Sequence, residues 1–278
     1  MTFSAICESP IFIIGSPRSG TSILAWALAQ HSALTTAEES NMFLELFRDD
    51  IISAAYDRAS GRPDSRDWLR KNTVSQDEFV ASIGLGLNAL VSSRSKGKRW
   101  IDQTPANTMI VRQLAQAFPE ARFIHIFRDG RAVVNSMINF AAAFTPEEQE
   151  QFIQAGAMPK FATDFGSACW AWAEYAGAAH DFVLRHPERA VTVHNESLRQ
   201  NPAGGFDELL SFLDLELEPA VPIFFTERKL NSSFPDSPIP GGGSEPWSAW
   251  TDEQRATFDQ IAGPTMEAVG EPAGGRWP

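Results

Sequence analysis

The sequence predicts an α/β fold, a central parallel sheet flanked by helices with a helical or loop lid, on three observations. Residues 11–22 (IFIIGSPRSGTS) run from an apolar β-type stretch through a Gly/Pro/Ser turn into a helical pattern. Residues 122–137 (RFIHIFRDGRAVVNSM) repeat the arrangement with a charged turn. Strand-like runs alternate with helix-length segments along most of the chain, and that alternation calls for parallel strands joined by helical crossovers.

Taken in order, the apolar run before Gly15 is the first strand, and 21–31 (TSILAWALAQH) has the apolar spacing of a helix. A short strand should follow, then helices over 39–58 and 76–94, the first turning Met42, Leu44, Phe47 and Ile51 inward. Arg99–Thr104 (RWIDQT) reads as a strand, and Pro105, favoured at a helix start, opens a helix to about Phe118. Arg122–Phe127 is the strand before the second turn. Residues 140–163 hold Phe, Ala, Met, Pro and Gly without firm period and are expected to form a lid or substrate-binding segment. A long helix then runs from about Asp164 to Arg185, its Trp170, Trp172 and Tyr175 assigned to the core. Residues 190–194 (AVTVH) form the next strand and 205–213 a helix. The Ser-, Pro- and Gly-rich stretch 229–248 is too irregular for regular structure and long for a connection, so it is expected to be a flap. No repeat is visible, and the chain is expected to be one domain over 1–278, of a size that can bury a large core.

The two turns carry the chemistry. Gly15 and Gly20 have the spacing of a nucleotide triphosphatase loop, but Thr21 and Ser22 follow where such a loop has lysine. A P-loop-type cradle remains in Ser16, Pro17, Arg18, Ser19, Gly20, Thr21 and Ser22, whose backbone amides at a helix N-terminus suit an anion whatever it is attached to. Arg18 is the fixed positive charge of this loop. In the second unit Arg128 stands at the C-terminal end of its strand, where open α/β sheets hold ligands. Ser136 follows about two helical turns later, so a guanidinium fork and a hydroxyl could hold a second phosphate. The same charges would also serve as a helix-capping ion cluster of Arg128, Asp129 and Arg131, with Ser136 a small packing residue.

GSPRSGTS and FIHIFRDGRAVVNSM resemble the 5′-phosphosulfate and 3′-phosphate motifs of the sulfotransferases that use 3′-phosphoadenosine 5′-phosphosulfate, above all the tyrosylprotein branch and its bacterial relatives. The resemblance implies a P-loop-type fold and this nucleotide as co-substrate, without an obligatory metal. It implies that Arg18 binds the 5′ end of the donor and that Arg128 and Ser136 bind the 3′-phosphate. The first glutamate of a Glu-Glu pair after the first helix is the base in that branch, which maps to Glu38, with Glu39 as the fallback. The pair could instead cap the following helix. Where the branch has lysine in Asn-Lys-Asp-Pro, this chain has Asp102-Gln103-Thr104-Pro105. Gln103 can donate a hydrogen bond to the transferring group but brings no cation. Ser232 or Ser233 is expected to supply the flap hydroxyl that the family uses near the 5′-phosphate. Other branches use histidine as base; His125 alternates within a buried strand and reads as core, while His31, His180, His186 and His194 lie in less suitable places.

Composition narrows the class further. A formal charge of −12 would repel a polyanion, so neither nucleic acid nor a heavily sulfated glycan is expected as partner. No run approaches the roughly 20 apolar residues of a membrane span, and the first residues lack the basic region and cleavage site of a leader, so a cytoplasmic protein is expected. Cys7 and Cys169 lie far apart without metal-ligand spacing, so no metal site is expected. The acceptor is expected to be a hydroxyl of a small molecule or a peptide tyrosine; its identity and the oligomeric state are not written in the sequence. Two other classes stay open. A P-loop small-molecule kinase would need a Mg²⁺-holding carboxylate, for which Asp102 and Asp129 are the candidates, and a non-catalytic nucleotide-binding protein would account for the missing lysine.

Overall fold

The computed structural model describes residues 6–61, 67–140, 145–154, 159, 161, 163–228 and 246–270. Five strands, β1 (Ile11–Ile14), β2 (Leu34–Thr36), β3 (Arg99–Asp102), β4 (Arg122–Phe127) and β5 (Ala190–His194), form one sheet in the order β2-β3-β1-β4-β5. Every pairing is parallel: Ile11 lies beside Ile101 on one side and Arg122 on the other, and Phe123 lies beside Ala190. Such a sheet is covered on both faces, which explains why all four residues of β1 are buried.

Strand alternation splits the core between the two faces. Ile11 and Ile13, with Ile101, Ile124 and Ile126, pack under the helix Thr21–Leu28 and the later helices Pro202–Phe212 and Ala220–Glu227. Phe12 and Ile14 face the opposite side. There Phe12 is the hub of an aromatic cluster, its ring 5.2–5.5 Å from those of Phe43, Trp100, Phe118 and Phe123. A third cluster joins Phe127, Val133, Val134 and Met137 to Cys169 and Trp172 of the helix Phe165–Arg185 and to Trp250 and Phe258. These clusters fix the helices on which the second turn and its neighbours ride.

Most expected elements are present, with four departures. The stretch 39–58 is not one helix: helices Met42–Phe47 and Ile51–Ser60 meet at Asp49 and Asp50, both left-handed (φ 57° and 52°). Phe47 is buried and Met42 and Leu44 pack against the core as expected, Phe43 joins them, and Ile51, beyond the break, is 47% exposed. Pro105 opens a 3₁₀ turn, Pro105–Ile110, before the α-helix Val111–Ala117 begins. Of the aromatic residues on the long helix, Trp172 is buried whereas Trp170 is 60% exposed. The helices Ala220–Glu227, Asp252–Ile261 and Gly263–Ala268 were not foreseen. Within the two expected lid segments, residues 141–144, 155–158, 160, 162 and 229–245 lie outside the described residues, and with them Ser232 and Ser233.

Candidate functional site

The strand order puts β1 at a switch point: from it the chain proceeds first toward β3 and β2, and later, beyond β4, toward β5. The crevice at the carboxyl ends of such strands is where this sheet type holds ligands, and the turn after β1 stands there. Its shape is set by three positive φ values, Gly15 at 146°, Arg18 at 70° and Gly20 at 107°. A Cβ on Gly15 would lie 2.6 Å from the Ile126 carbonyl oxygen, and one on Gly20 2.4 Å from Asn195 Nδ2, so both glycines are demanded by close approach as well as by backbone angle.

Side chains from other segments hold this loop. The hydroxyl of Thr108, in the 3₁₀ turn, accepts from the Gly15 amide at 2.9 Å and donates to the Gly15 carbonyl at 3.1 Å. Within the loop the Ser19 amide and hydroxyl both donate to the Ser16 carbonyl. Ser22, on the first turn of the helix, donates to Gln103 Oε1 at 2.9 Å. Gln103 is 1% exposed, and its Nε2 has no hydrogen-bond partner among the described residues. An orphaned buried donor costs on the order of 1–3 kcal/mol unless a ligand satisfies it, which makes this amide a built-in contact for an oxygen bound over the loop.

The second turn meets the first directly. Arg18 Nε donates to Ser136 Oγ at 3.1 Å, and Arg128 donates from Nη1 to the Arg18 carbonyl at 2.9 Å. Asp129 caps the helix Gly130–Ile138 through the Arg131 amide and pairs with the Arg131 side chain. The direct hydrogen bonds of the capping cluster join Asp129 to Arg131, while Arg128 feels the Asp129 charge and gives its own hydrogen bond to the Arg18 carbonyl. Burial, and then the neighbouring Arg128 charge, lower Arg18 below the ordinary arginine value. Burial lowers Arg128 too, while Glu196 pulls in the other direction. Two guanidiniums drawn together under partial desolvation form a site that an anion relieves.

The carboxylates are arranged differently. Glu38 and Glu39 are exposed in the loop that leaves β2, and the next helix starts at Met42 with Asn41 at the N-cap position. The loop is tied to β3: the Ser40 amide donates to Thr104 Oγ1 at 3.2 Å and the Ser40 hydroxyl reaches Asp102 at 3.5 Å. Asp102, at the end of β3, also accepts from the Thr104 amide and Asn107 Nδ2; burial raises its carboxyl above the ordinary range against the opposing pull of these hydrogen bonds. Among the histidines, His125 is buried in β4 with Nδ1 3.2 Å from Thr192 Oγ1, and burial, with the nearby His180 and His194, lowers it to about 3. Both nitrogens of His31 face backbone groups of Ala33 and Glu216.

Thr108 carries no signal in the sequence, and neither do three residues of the site that follow β5. Asn195 Nδ2 donates to the Ser19 carbonyl at 3.0 Å, Glu196 accepts from the Asp129 amide at 3.2 Å, and Arg199 donates to Asn195 Oδ1 at 3.0 Å. They sit on the short helix Asn195–Gln200 directly after β5 and carry no motif of their own. Among the described residues there is no group of three or more His, Cys, Asp or Glu side chains placed to hold a metal, and no helix long and apolar enough to cross a membrane.

Comparison with known proteins bears on the family and the fold. Protein-tyrosine sulfotransferase 1 of Danio rerio is 24% identical over 212 residues, covering 76% of this chain and 54% of the relative. The protein-tyrosine sulfotransferase of Drosophila melanogaster is 22% identical over 213 residues, covering 76% and 39%. The chain thus spans about half or less of the length of these two curated relatives. Among solved structures, a sulfotransferase from Mycobacterium avium superposes with a TM-score of 0.57 at 14% identity, covering 98% of this chain and 79% of that one. The sulfotransferase domain of the curacin biosynthetic pathway gives 0.52 at 16% identity, covering 93% and 99%. A mouse sulfotransferase complexed with PAP gives 0.50 at 14% identity, covering 95% and 86%. The sequence profile of the sulfotransferase family matches residues 10–219, a span that contains both turns and the helix after β5, and the chain belongs to that family.

Proposed function

We propose that the protein transfers the sulfuryl group of 3′-phosphoadenosine 5′-phosphosulfate to the hydroxyl of an acceptor, a small molecule or a peptide tyrosine. The observation that carries this reading is the direct contact of the two turns through Arg18, Ser136 and Arg128, which makes one anion-binding site with two ends out of segments 118 residues apart. A nucleotide with phosphate at both its 3′ and 5′ positions fits such a site, and the mouse structure with PAP supports the donor class.

In this reading Arg128 and Ser136 hold the 3′-phosphate, and Arg18 with the amides of Ser16 to Ser22 holds the 5′ end. Arg18 also touches Ser136, so its guanidinium lies between the two ends. Sulfuryl transfer is an in-line displacement in which charge grows on the oxygen that leaves with the phosphate, and preorganised donors lower that barrier. Gln103 Nε2 supplies one such donor without a cation, and Arg18 and the loop dipoles carry the charge. Glu38 is assigned as the base that takes the acceptor proton, with Glu39 as its alternative; the loop they share is anchored beside Gln103 through Ser40, Asp102 and Thr104.

Calorimetric titration with adenosine 3′,5′-bisphosphate, repeated with ATP and Mg²⁺, tests the donor class. The bisphosphate should bind and ATP–Mg²⁺ should compete poorly; preference for ATP–Mg²⁺ would select the kinase class. Release of bisphosphate from the phosphosulfate donor in the presence of a phenolic acceptor then separates an enzyme from a nucleotide-binding protein without turnover.

A further inference from the structure

The phosphate loop is held from outside by a chain of contacts that reaches the helix Ala220–Glu227. The Arg199 guanidinium lies over the Phe225 ring at 4.9 Å, its Nε donates to Asn195 Oδ1, and the Asn195 amide nitrogen donates to the Ser19 carbonyl. Both halves of the Asn195 carboxamide are thus used, and its orientation is set by Arg199, because only the oxygen can accept from a guanidinium. Asn195 is 5% exposed, so this is a buried contact and not a surface one.

The peptide unit between Ser19 and Gly20 is planar, with its carbonyl and its amide pointing in opposite directions. Fixing the Ser19 carbonyl on Asn195 therefore turns the Gly20 amide away from Asn195. The next residue, Glu196, accepts from the Asp129 amide and steadies the second turn, so two consecutive residues at the end of β5 touch both phosphate turns.

We infer that Asn195, locked by Arg199, is a positioning residue that aims the Ser19–Gly20 amide at the 5′ anion of the donor. This inference rests on the function proposed above. It concerns the 5′ end: in the proposed reading Arg128 and Ser136 hold the 3′-phosphate, and the hydrogen bonds of the Asn195 carboxamide go to Ser19 and Arg199.

The test uses the full chain and two probes, adenosine 3′,5′-bisphosphate and adenosine 3′-phosphate, whose affinity ratio reports what the 5′-phosphate contributes. Asn195→Asp keeps the shape and can still accept from Arg199 but cannot donate to the Ser19 carbonyl. The ratio should fall by about tenfold, the worth of a hydrogen bond to a charged group, with the affinity for the 3′-phosphate unchanged. Arg199→Met should lower the same ratio, Arg199→Lys should restore part of it, and Asn195→Asp with Arg199→Met should be no worse than Asn195→Asp alone. If wild type binds neither probe, the sulfotransferase reading fails. If wild type binds both and the ratio survives in Asn195→Asp, or both affinities fall together, Asn195 has no positioning role.

Discussion

Replacing Gly20 by alanine tests the loop geometry at its tightest point. Gly20 has φ 107° and ψ 22°, a conformation costly for any residue with a Cβ, on the order of 1–2 kcal/mol. The new methyl would lie 2.4 Å from Asn195 Nδ2 and 3.3 Å from Ile126 Cδ1, so Asn195 must retreat and its bond to the Ser19 carbonyl is lost. That bond adds about 1 kcal/mol, giving a loss of roughly 2–3 kcal/mol in all. Gly97→Ala is the control, since Gly97 also has a positive φ (77°) but nothing within 4 Å of its Cβ position; it should cost only the backbone part. Urea unfolding of the three proteins measures the difference. Affinity for adenosine 3′,5′-bisphosphate should also drop in Gly20→Ala and not in Gly97→Ala. Equal unfolding midpoints for Gly20→Ala and wild type, with equal binding, would refute the close-packed loop described here.

The remaining predictions address separate parts of the molecule. Arg128→Ala should weaken bisphosphate binding by about 10- to 100-fold, the range for a charged hydrogen bond to phosphate, as read by calorimetry; an unchanged affinity would remove Arg128 from the donor site. Glu38→Gln should slow sulfuryl transfer by about 10²- to 10⁴-fold, as expected for a lost general base, with donor affinity intact, and normal turnover in that variant would pass the role to Glu39. His125 is lowered to about 3 in the folded protein from 6.5, chiefly by burial, so the unfolded chain takes up its proton first as pH falls. Stability from this group is therefore complete above pH 6.5 and declines by up to about 1.4 kcal/mol per pH unit as pH falls below it. Urea unfolding between pH 7.5 and 5 should show a shallower acid loss in His125→Gln than in wild type, and identical slopes would contradict the buried neutral imidazole.

What the sequence made legible was whatever is encoded locally. β4 and β5 fall on the residues expected, because 122–127 and 190–194 are short apolar runs bounded by polar turns. The break at Asp49–Asp50 was hidden, since two successive left-handed aspartates leave no proline or glycine to mark them. The helix Ala220–Glu227 was missed because AVPIFF carries proline and no clear period. In the site, Arg18, Arg128 and Ser136 belong to two contiguous strings and could be read together. Asn195 meets Ser19 across 176 residues and Thr108 meets Gly15 across 93, and neither asparagine nor threonine announces such a contact. The pairing of Arg18 with Ser136, which joins the two phosphate turns, likewise follows from the β1–β4 neighbourhood in the sheet and from no spacing in the chain.

The central claim is that the two turns form one donor site. A crystal structure of the protein with adenosine 3′,5′-bisphosphate tests it directly. The account predicts the 3′-phosphate within hydrogen-bond distance of Arg128 and Ser136, and the 5′-phosphate on the Gly20 amide and Arg18. A bisphosphate bound away from the end of β1, or one touching only one of the two turns, would contradict it.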